Sequence, residues 1–260
     1  MTERIILSEI NFKKIAEHLS KELALEIKKR KAKKAILGLS GGLDSSVVLK
    51  LLTLSLPTEK IHPVFMPYKT TAKSSHDDAL LMCSMLKLTL ETKEIAPQVD
   101  AYFQREKDAD RIRFGNKCAR ERMSVLYDIS MREKGIVIGT SNRSEIIMGY
   151  GTIFGDLACA VNPLGNLYKS QIFLLAKFLG IPKKIINKKP SADLWKGQTD
   201  EKEMGISYKT IDEIAFLCFD RKKNMNEIIK LGYKKSDIET IMKRFESNAF
   251  KREMPLIIKL

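Results

Sequence analysis

Ala35-Ile36-Leu37-Gly38-Leu39-Ser40-Gly41-Gly42-Leu43-Asp44-Ser45-Ser46 is an apolar run that breaks at two adjacent glycines and passes into Val47-Val48-Leu49-Lys50-Leu51-Leu52. The run fits a buried strand and the segment after the glycines fits a helix, which makes residues 38–46 a strand-to-helix turn. The N–H groups of such a turn, with the helix N-terminus behind them, form an anion cradle. Glycine lets the backbone approach an anion closely and take positive φ. Ser40, Ser45 and Ser46 add hydroxyl donors, and hydrogen bonds to a charged group contribute about 1.5–3 kcal/mol each. A few of them suffice to hold a diphosphate. Asp44 is an acid inside this cradle, and a magnesium ion between its carboxylate and phosphate oxygens resolves the conflict. The turn matches neither GxGxxG nor GxxxxGK[ST], so those two phosphate-binding classes are not indicated.

Outward from the turn the pattern repeats. Residues 8 to 30 read as an amphipathic helix capped by Ser8, with Ile15, Leu19, Leu23 and Ile27 on one face. His62 to Met66 is strand-like, and Ser74 to Leu88 is helix-like with Asp77 and Asp78 in its first turn. Leu90 to Ile95 reads as a third strand, Gly115 to Lys134 as a long helix, and Ile136 to Gly139 as a buried strand. Alternating strands and helices predict an α/β fold: a parallel, five-stranded-type sheet with helices on both faces.

Beyond Gly139 the pattern changes. Asn142 to Met148 is a short helix, 149–165 a glycine-rich loop, and Lys169 to Leu179 a helix ended by Gly180 and Pro182. Residues 187–207 are polar and irregular, the mark of a functional loop or lid. Helical patterns return from Tyr208 to Ser247. With no repeats or long linkers, the chain reads as one domain: an N-terminal helix at 8–30, an α/β core at 34–180, and a loop and helical C-terminal part at 181–260.

Composition bounds the rest. The 260 residues are 44% hydrophobic, a globular value. No apolar run reaches the roughly 18 residues that span a bilayer, and the N-terminus lacks signal-peptide features. The expected location is the cytoplasm, without membrane partners. Cys83, Cys118, Cys159 and Cys218 form no CxxC pair and read as reduced packing residues. The net charge of +14 suits a polyanionic partner, but the lysines are spread along the chain. Nucleic acid is therefore not the expected ligand.

The Ser40-Gly41-Gly42-Leu43-Asp44-Ser45-Ser46 turn resembles the pyrophosphate loop of the ATP pyrophosphatases. Five further segments together resemble ammonia-dependent NAD synthetases. They are Gly115-Asn116-Lys117-Cys118-Ala119-Arg120-Glu121-Arg122-Met123; Gly139-Thr140-Ser141-Asn142-Arg143-Ser144-Glu145; Tyr150-Gly151-Thr152-Ile153-Phe154-Gly155-Asp156; Lys189-Pro190-Ser191-Ala192-Asp193-Leu194; and Gln198-Thr199-Asp200-Glu201-Lys202-Glu203-Met204-Gly205. In order, they cover about residues 35 to 255.

The resemblance implies adenylation of deamido-NAD by ATP and displacement of AMP by ammonia, in a homodimer that meets through the helix at 115–134. It implies ATP contacts at Gly38, Leu39, Ser40, Gly41, Gly42, Leu43, Asp44, Ser45, Thr140, Lys169 and Ser191. Magnesium falls to Asp44 and Glu145, and deamido-NAD to Arg120 and Lys251. Asp44, Lys169 and Asp156 are the expected catalytic residues, with Asp156 near the ammonium. Three positions depart from the pattern: Ile153 stands at a lysine position, Ala160 at an aspartate, and Phe250 at the histidine of a His-Lys pair. The amidase domain of glutamine-dependent relatives does not fit ahead of a turn that begins within the first 40 residues, so free ammonia or ammonia delivered by another chain is expected. Two other readings remain at this point: a tRNA-modifying ATP pyrophosphatase, and a nucleotide-binding protein without turnover.

Overall fold

The computed structural model describes residues 11–106, 108–191, 199–253 and 256–258. Its centre is a parallel sheet of β1 (Ala35–Gly38), β2 (Ile61–Phe65), β3 (Glu91–Thr92) and β4 (Ile136–Ile138), in the order β3-β2-β1-β4. The α/β class agrees with the sequence reading, but the sheet has four strands among the described residues, not five. A fifth position is reduced to one parallel bridge between Ile138 and Val161. Val161 is followed by Asn162-Pro163, and proline brings no N–H to extend a ladder. β3 is also shorter than the predicted strand at 90–95: Lys93 N and Ile95 N still donate to Phe65 O at 2.9 Å and Pro67 O at 3.0 Å, but only Glu91 and Thr92 form ladder pairs before α4 (Ala96–Phe103) begins, with proline in its first turn.

Successive strand residues point to opposite faces. Ile36, Val64 and Val137 pack against α4 and the long α5 (Arg111–Glu133). Ala35, Leu37, Phe65 and Ile138 pack with α1 (Phe12–Lys29), α2 (Leu43–Ser55), α3 (Lys73–Met85) and α7 (Lys169–Phe178). Helices thus cover both faces. Asn11 caps α1, accepting from Lys14 N at 3.0 Å; the predicted cap, Ser8, lies outside the described residues, as do Ala192, Asp193, Leu194 and Gln198 of the matching segments. α3 begins at Lys73, so Asp77 and Asp78 fall beyond its first turn. Asp78 instead pairs with Lys184 at 2.8 Å and Lys188 at 3.4 Å.

A second core lies beside the sheet. It joins Ile147 and Met148 of α6 (Arg143–Met148) and Tyr168 to α9 (Asp200–Met204), α10 (Tyr208–Ala215), α11 (Met225–Lys230) and α12 (Lys235–Ser247). The segment read as irregular at 187–207 therefore contains a helix, and another, α8 (Lys183–Ile186), leads into it. The C-terminal helices pack directly on α6. No helix among the described residues is long and apolar enough to cross a membrane.

Candidate active site

The strands β1, β2 and β4 point their C-terminal ends into a cavity of about 930 Å³, where open parallel sheets gather ligands. The glycine–serine turn forms one wall. Gly41 has φ +73°, and a Cβ there would lie 2.1 Å from the carbonyl oxygen of Ser75, so only glycine lets the turn lie against α3. Gly42 starts α2 in extended conformation with no side-chain cap. The N-terminus of this 13-residue helix is thus open toward the cavity, with its positive dipole end available to an anion. The serines mostly brace the turn. Ser45 Oγ donates to Gly42 O at 3.1 Å, Ser46 Oγ donates to the same oxygen at 2.8 Å, and Ser40 Oγ accepts from Gly42 N at 3.2 Å.

Opposite the turn, Lys169 opens α7 and sends its ammonium between two carboxylates. Its side chain is 3% exposed; Nζ pairs with Asp44 Oδ2 and lies 3.8 Å from Glu145 Oε1. Burial alone would lower the Lys169 pKa, but Asp44 and Glu145 outweigh it and hold the ammonium up at about 12. Glu145 is shifted upward, first by burial and further by Asp44, against the pull of Lys169. Its Oε2 accepts from Asn142 N at 3.1 Å in a capping box, while Oε1 accepts from Tyr208 Oη at 3.2 Å. Glu145 therefore serves its helix and faces the cavity at once. Asp200 joins the group: the single Tyr208 hydroxyl proton is shared between Glu145 and Asp200 Oδ2, which lies 3.0 Å from Tyr208 Oη, and the Tyr150 hydroxyl lies between Asp200 at 3.1 Å and Glu203 at 2.8 Å. Burial raises the pKa of Asp200, with Lys169 opposing.

The residues present fit a magnesium ion. Asp44 Oδ1 is buried with no hydrogen-bond partner among the described residues, and Glu145 offers a second hard oxygen nearby. No group of three or more His, Cys, Asp or Glu residues that could hold a metal occurs among the described residues. Two carboxylates are what magnesium takes from a protein when phosphates and water complete its shell.

The cavity brings together most of the positions expected from the sequence. Gly38, Leu39, Ser40, Gly42, Leu43, Asp44, Ser45, Thr140, Glu145, Asp156, Lys169, Ser191 and Lys251 line it. Gly41 stands behind the wall against Ser75. Lys251 donates to the carbonyls of Gly149 at 2.8 Å and Gly151 at 2.9 Å, tying the C-terminal 3-10 turn to the loop. Asp156 Oδ1 accepts from Thr152 N at 2.8 Å. Arg120 is exposed outside this cavity, with Nε donating to Ile153 O at 3.3 Å. Sequence reasoning gave no role to Arg122, Tyr150, Lys188, Asp200 and Glu203, all of which line the cavity. All but Lys188 carried a signal, since they sit within segments already singled out.

A family model described as NAD synthase matches residues 15–255. The chain belongs to the NAD synthase family. A relative from Fusobacterium nucleatum named NH(3)-dependent NAD(+) synthetase is 45% identical over 97% of this chain and 98% of its own. Among solved structures, the NH3-dependent NAD synthetase from Campylobacter jejuni, in complex with the nitrate ion, superposes with TM-score 0.82 at 35% identity, covering 96% of this chain and 100% of that one. The NMN synthetase from Francisella tularensis superposes with TM-score 0.86 at 34% identity, covering 97% and 100%. Every element that carries the cavity therefore lies within the part shared with NAD synthases.

Proposed function

We propose that this chain is an ammonia-dependent NAD synthetase, a ligase that forms a C–N bond between ammonia and the nicotinate carboxylate of deamido-NAD at the expense of ATP. The observation that carries the reading is the convergence of an open helix N-terminus, the glycine–serine turn and the buried Lys169 ammonium on one cavity at the sheet's C-terminal end. That arrangement suits an anion whose charge grows as a diphosphate departs.

In this reading the turn at 38–46 and the first amides of α2 bind the ATP phosphates. Thr140 and Ser191 border the nucleotide. The carboxylate oxygen of the substrate attacks the α-phosphorus, pyrophosphate leaves, and an acyl-adenylate remains. Lys169 offsets the charge on the leaving pyrophosphate. Asp44 and Glu145 hold magnesium, which neutralises phosphate charge when bound. Ammonia then adds to the activated carbonyl, AMP leaves with the bonding electrons, and the amide remains after proton loss. Asp156, on the cavity wall, takes that proton or binds the ammonium. The loop at 149–165 shields the reactive mixed anhydride from water.

Arg120 and Lys251 hold the dinucleotide. Arg120 faces solvent outside the cavity, which suits a site completed by a second copy. A homodimer through α5 covers its exposed Ile112, Tyr127 and Met131. A cytoplasmic location belongs to the same reading.

One observation favours a second acid substrate. The Francisella tularensis relative is an NMN synthetase, and Ile153, Ala160 and Phe250 stand where the resemblance puts dinucleotide contacts. Nicotinate mononucleotide is that substrate. The test is an assay of amide and AMP formation from ATP and ammonium with either acid, with glutamine replacing ammonium as the control. Turnover with neither acid refutes the reading; turnover with the mononucleotide alone moves it to the second substrate.

A further inference from the structure

Lys169 is useful only if its ammonium stays between Asp44 and Glu145, and its long side chain does not do this unaided. The restraint lies in the backbone. The N–H of Lys169 donates to Ser144 Oγ at 2.9 Å, and the N–H of Ser170 donates to Asp212 Oδ2 at 2.8 Å. Ser144 Oγ in turn donates its own proton to Asp212 Oδ1. A hydroxyl has one proton to give and lone pairs to receive, so Ser144 both gives and receives in this chain of bonds. Ser144 is the neighbour of Glu145 on α6, and the N–H of Arg143 donates to Leu167 O at 2.9 Å. The beginnings of α6 and α7 are thereby held together, and Asp212 reaches both from α10.

The two helix N-termini that serve the cavity are handled in opposite ways. The start of α2 is open. The start of α7 is occupied by protein: Ser144 takes the first amide, Asp212 the second, and Gln171 Oε1 accepts from Tyr168 N at 2.8 Å. Asp212 is 1% exposed, Ser144 is fully buried, and neither lines the cavity. A buried carboxylate is costly unless hydrogen bonds and a helix dipole compensate it, and here both of its oxygens accept such bonds.

Resting on the activity proposed above, we infer that Asp212 is a positioning residue: through Ser144 Oγ and the amide of Ser170 it fixes the start of α7, and with it the Lys169 ammonium, against Asp44 and Glu145. It touches no substrate. An amide cannot replace it. In Asp212→Asn the one remaining side-chain oxygen would serve Ser144 or Ser170 but not both, and the NH2 group would face a donor or strand the Ser144 proton.

The test compares the wild-type chain with Asp212→Asn, Ser144→Ala and the double variant, measuring initial rates with ATP, the acid substrate and ammonium, and thermal unfolding of each. A displacement of about 1 Å at a reacting group lowers turnover by up to about 10²-fold. Each single variant is therefore expected to lose about tenfold or more in kcat while KM for ATP changes by less than about threefold, the split expected when a group acting in the transition state is misplaced. Because both residues act through one path, the double variant is expected to be no slower than the slower single variant. Single variants that keep kcat within about threefold of wild type, or losses that multiply in the double variant, overturn the proposal. Should Asp212→Asn fail to fold, Ser144→Ala alone decides by the same kcat criterion. A wild-type chain without turnover refutes the activity itself, and is told apart from failure of the positioning role by that control.

Discussion

Replacing Lys169 by methionine tests the electrostatic centre of the site through stability. The side chain is 3% exposed, while those of Asp44 and Glu145 are 17% and 16% exposed. Methionine keeps the apolar stem and removes the charge, which leaves two facing carboxylates without their cation. Removing one partner of a buried pair destabilises by about 3–5 kcal/mol, and the lower end applies because both acids reach cavity water. For a chain of this size each kcal/mol moves the unfolding midpoint by about 2–4 °C, so a fall of about 6–12 °C is expected near pH 8. The deficit should shrink as pH falls toward 5. The Glu145 pKa is already raised by burial, and loss of the lysine raises it further, so the variant takes up protons at a higher pH than wild type. Magnesium should restore part of the loss, about 2.7 kcal/mol at a concentration 100 times its Kd, provided Asp44 and Glu145 hold it. Calorimetry or dye-monitored unfolding at pH 5 and 8, with and without magnesium, reads all three effects. A midpoint within about 2 °C of wild type at pH 8 would refute the reasoning, and so would a deficit that is the same at both pH values.

Gly41→Ala forces a Cβ to 2.1 Å from Ser75 O at φ +73°, so the turn must shift; KM for ATP should rise more than about tenfold, with a stability loss of about 1–3 kcal/mol. Asp44→Asn removes one charge from the proposed magnesium site, and calorimetric titration should find magnesium affinity lowered by about tenfold or more, since ligand charge sets affinity at hard-cation sites. Arg120→Ala should raise KM for the acid substrate while leaving that for ATP unchanged, because Arg120 lies outside the cavity; steady-state kinetics with each substrate varied in turn checks this. Asp212 has its pKa pushed up to about 6, chiefly by burial. Its native form therefore holds a proton that the unfolded chain has released, and wild-type stability should fall as pH rises from about 4 to 6. Denaturant titrations across that window should show a flatter profile for Asp212→Asn; an equal slope would contradict the assignment.

What could be read without coordinates was local. Ala35 to Ser46 specifies a strand, a glycine turn and a helix within twelve positions, because backbone sterics and apolar periodicity act over that range. The long helix α5 and the strand β4 were legible for the same reason, and the resemblance carried Thr140, Glu145, Lys169 and Ser191 to the cavity. The third strand was overextended, since its length depends on how far β2 continues beside it, and only Glu91 and Thr92 find ladder partners there. Asp78 was misplaced in a first turn because the start of α3 lies a residue earlier than the pattern suggested.

The electrostatic grouping belongs to tertiary structure. Lys169 meets Asp44 across 125 positions, Ser144 meets Asp212 across 68, and Tyr208 meets Glu145 across 63. No periodicity or spacing links such pairs: Lys169 meets Asp44 because α7 packs on α2 in the sheet's core, and Asp212 and Tyr208 reach α6 because the C-terminal helices bury Ile211, Ile214 and Ile241 beside it. The sequence by itself determined the cradle, since a turn is made by neighbours. Where the charges around it stand was decided by packing, since burial and Coulomb energy depend on distance through space and not along the chain.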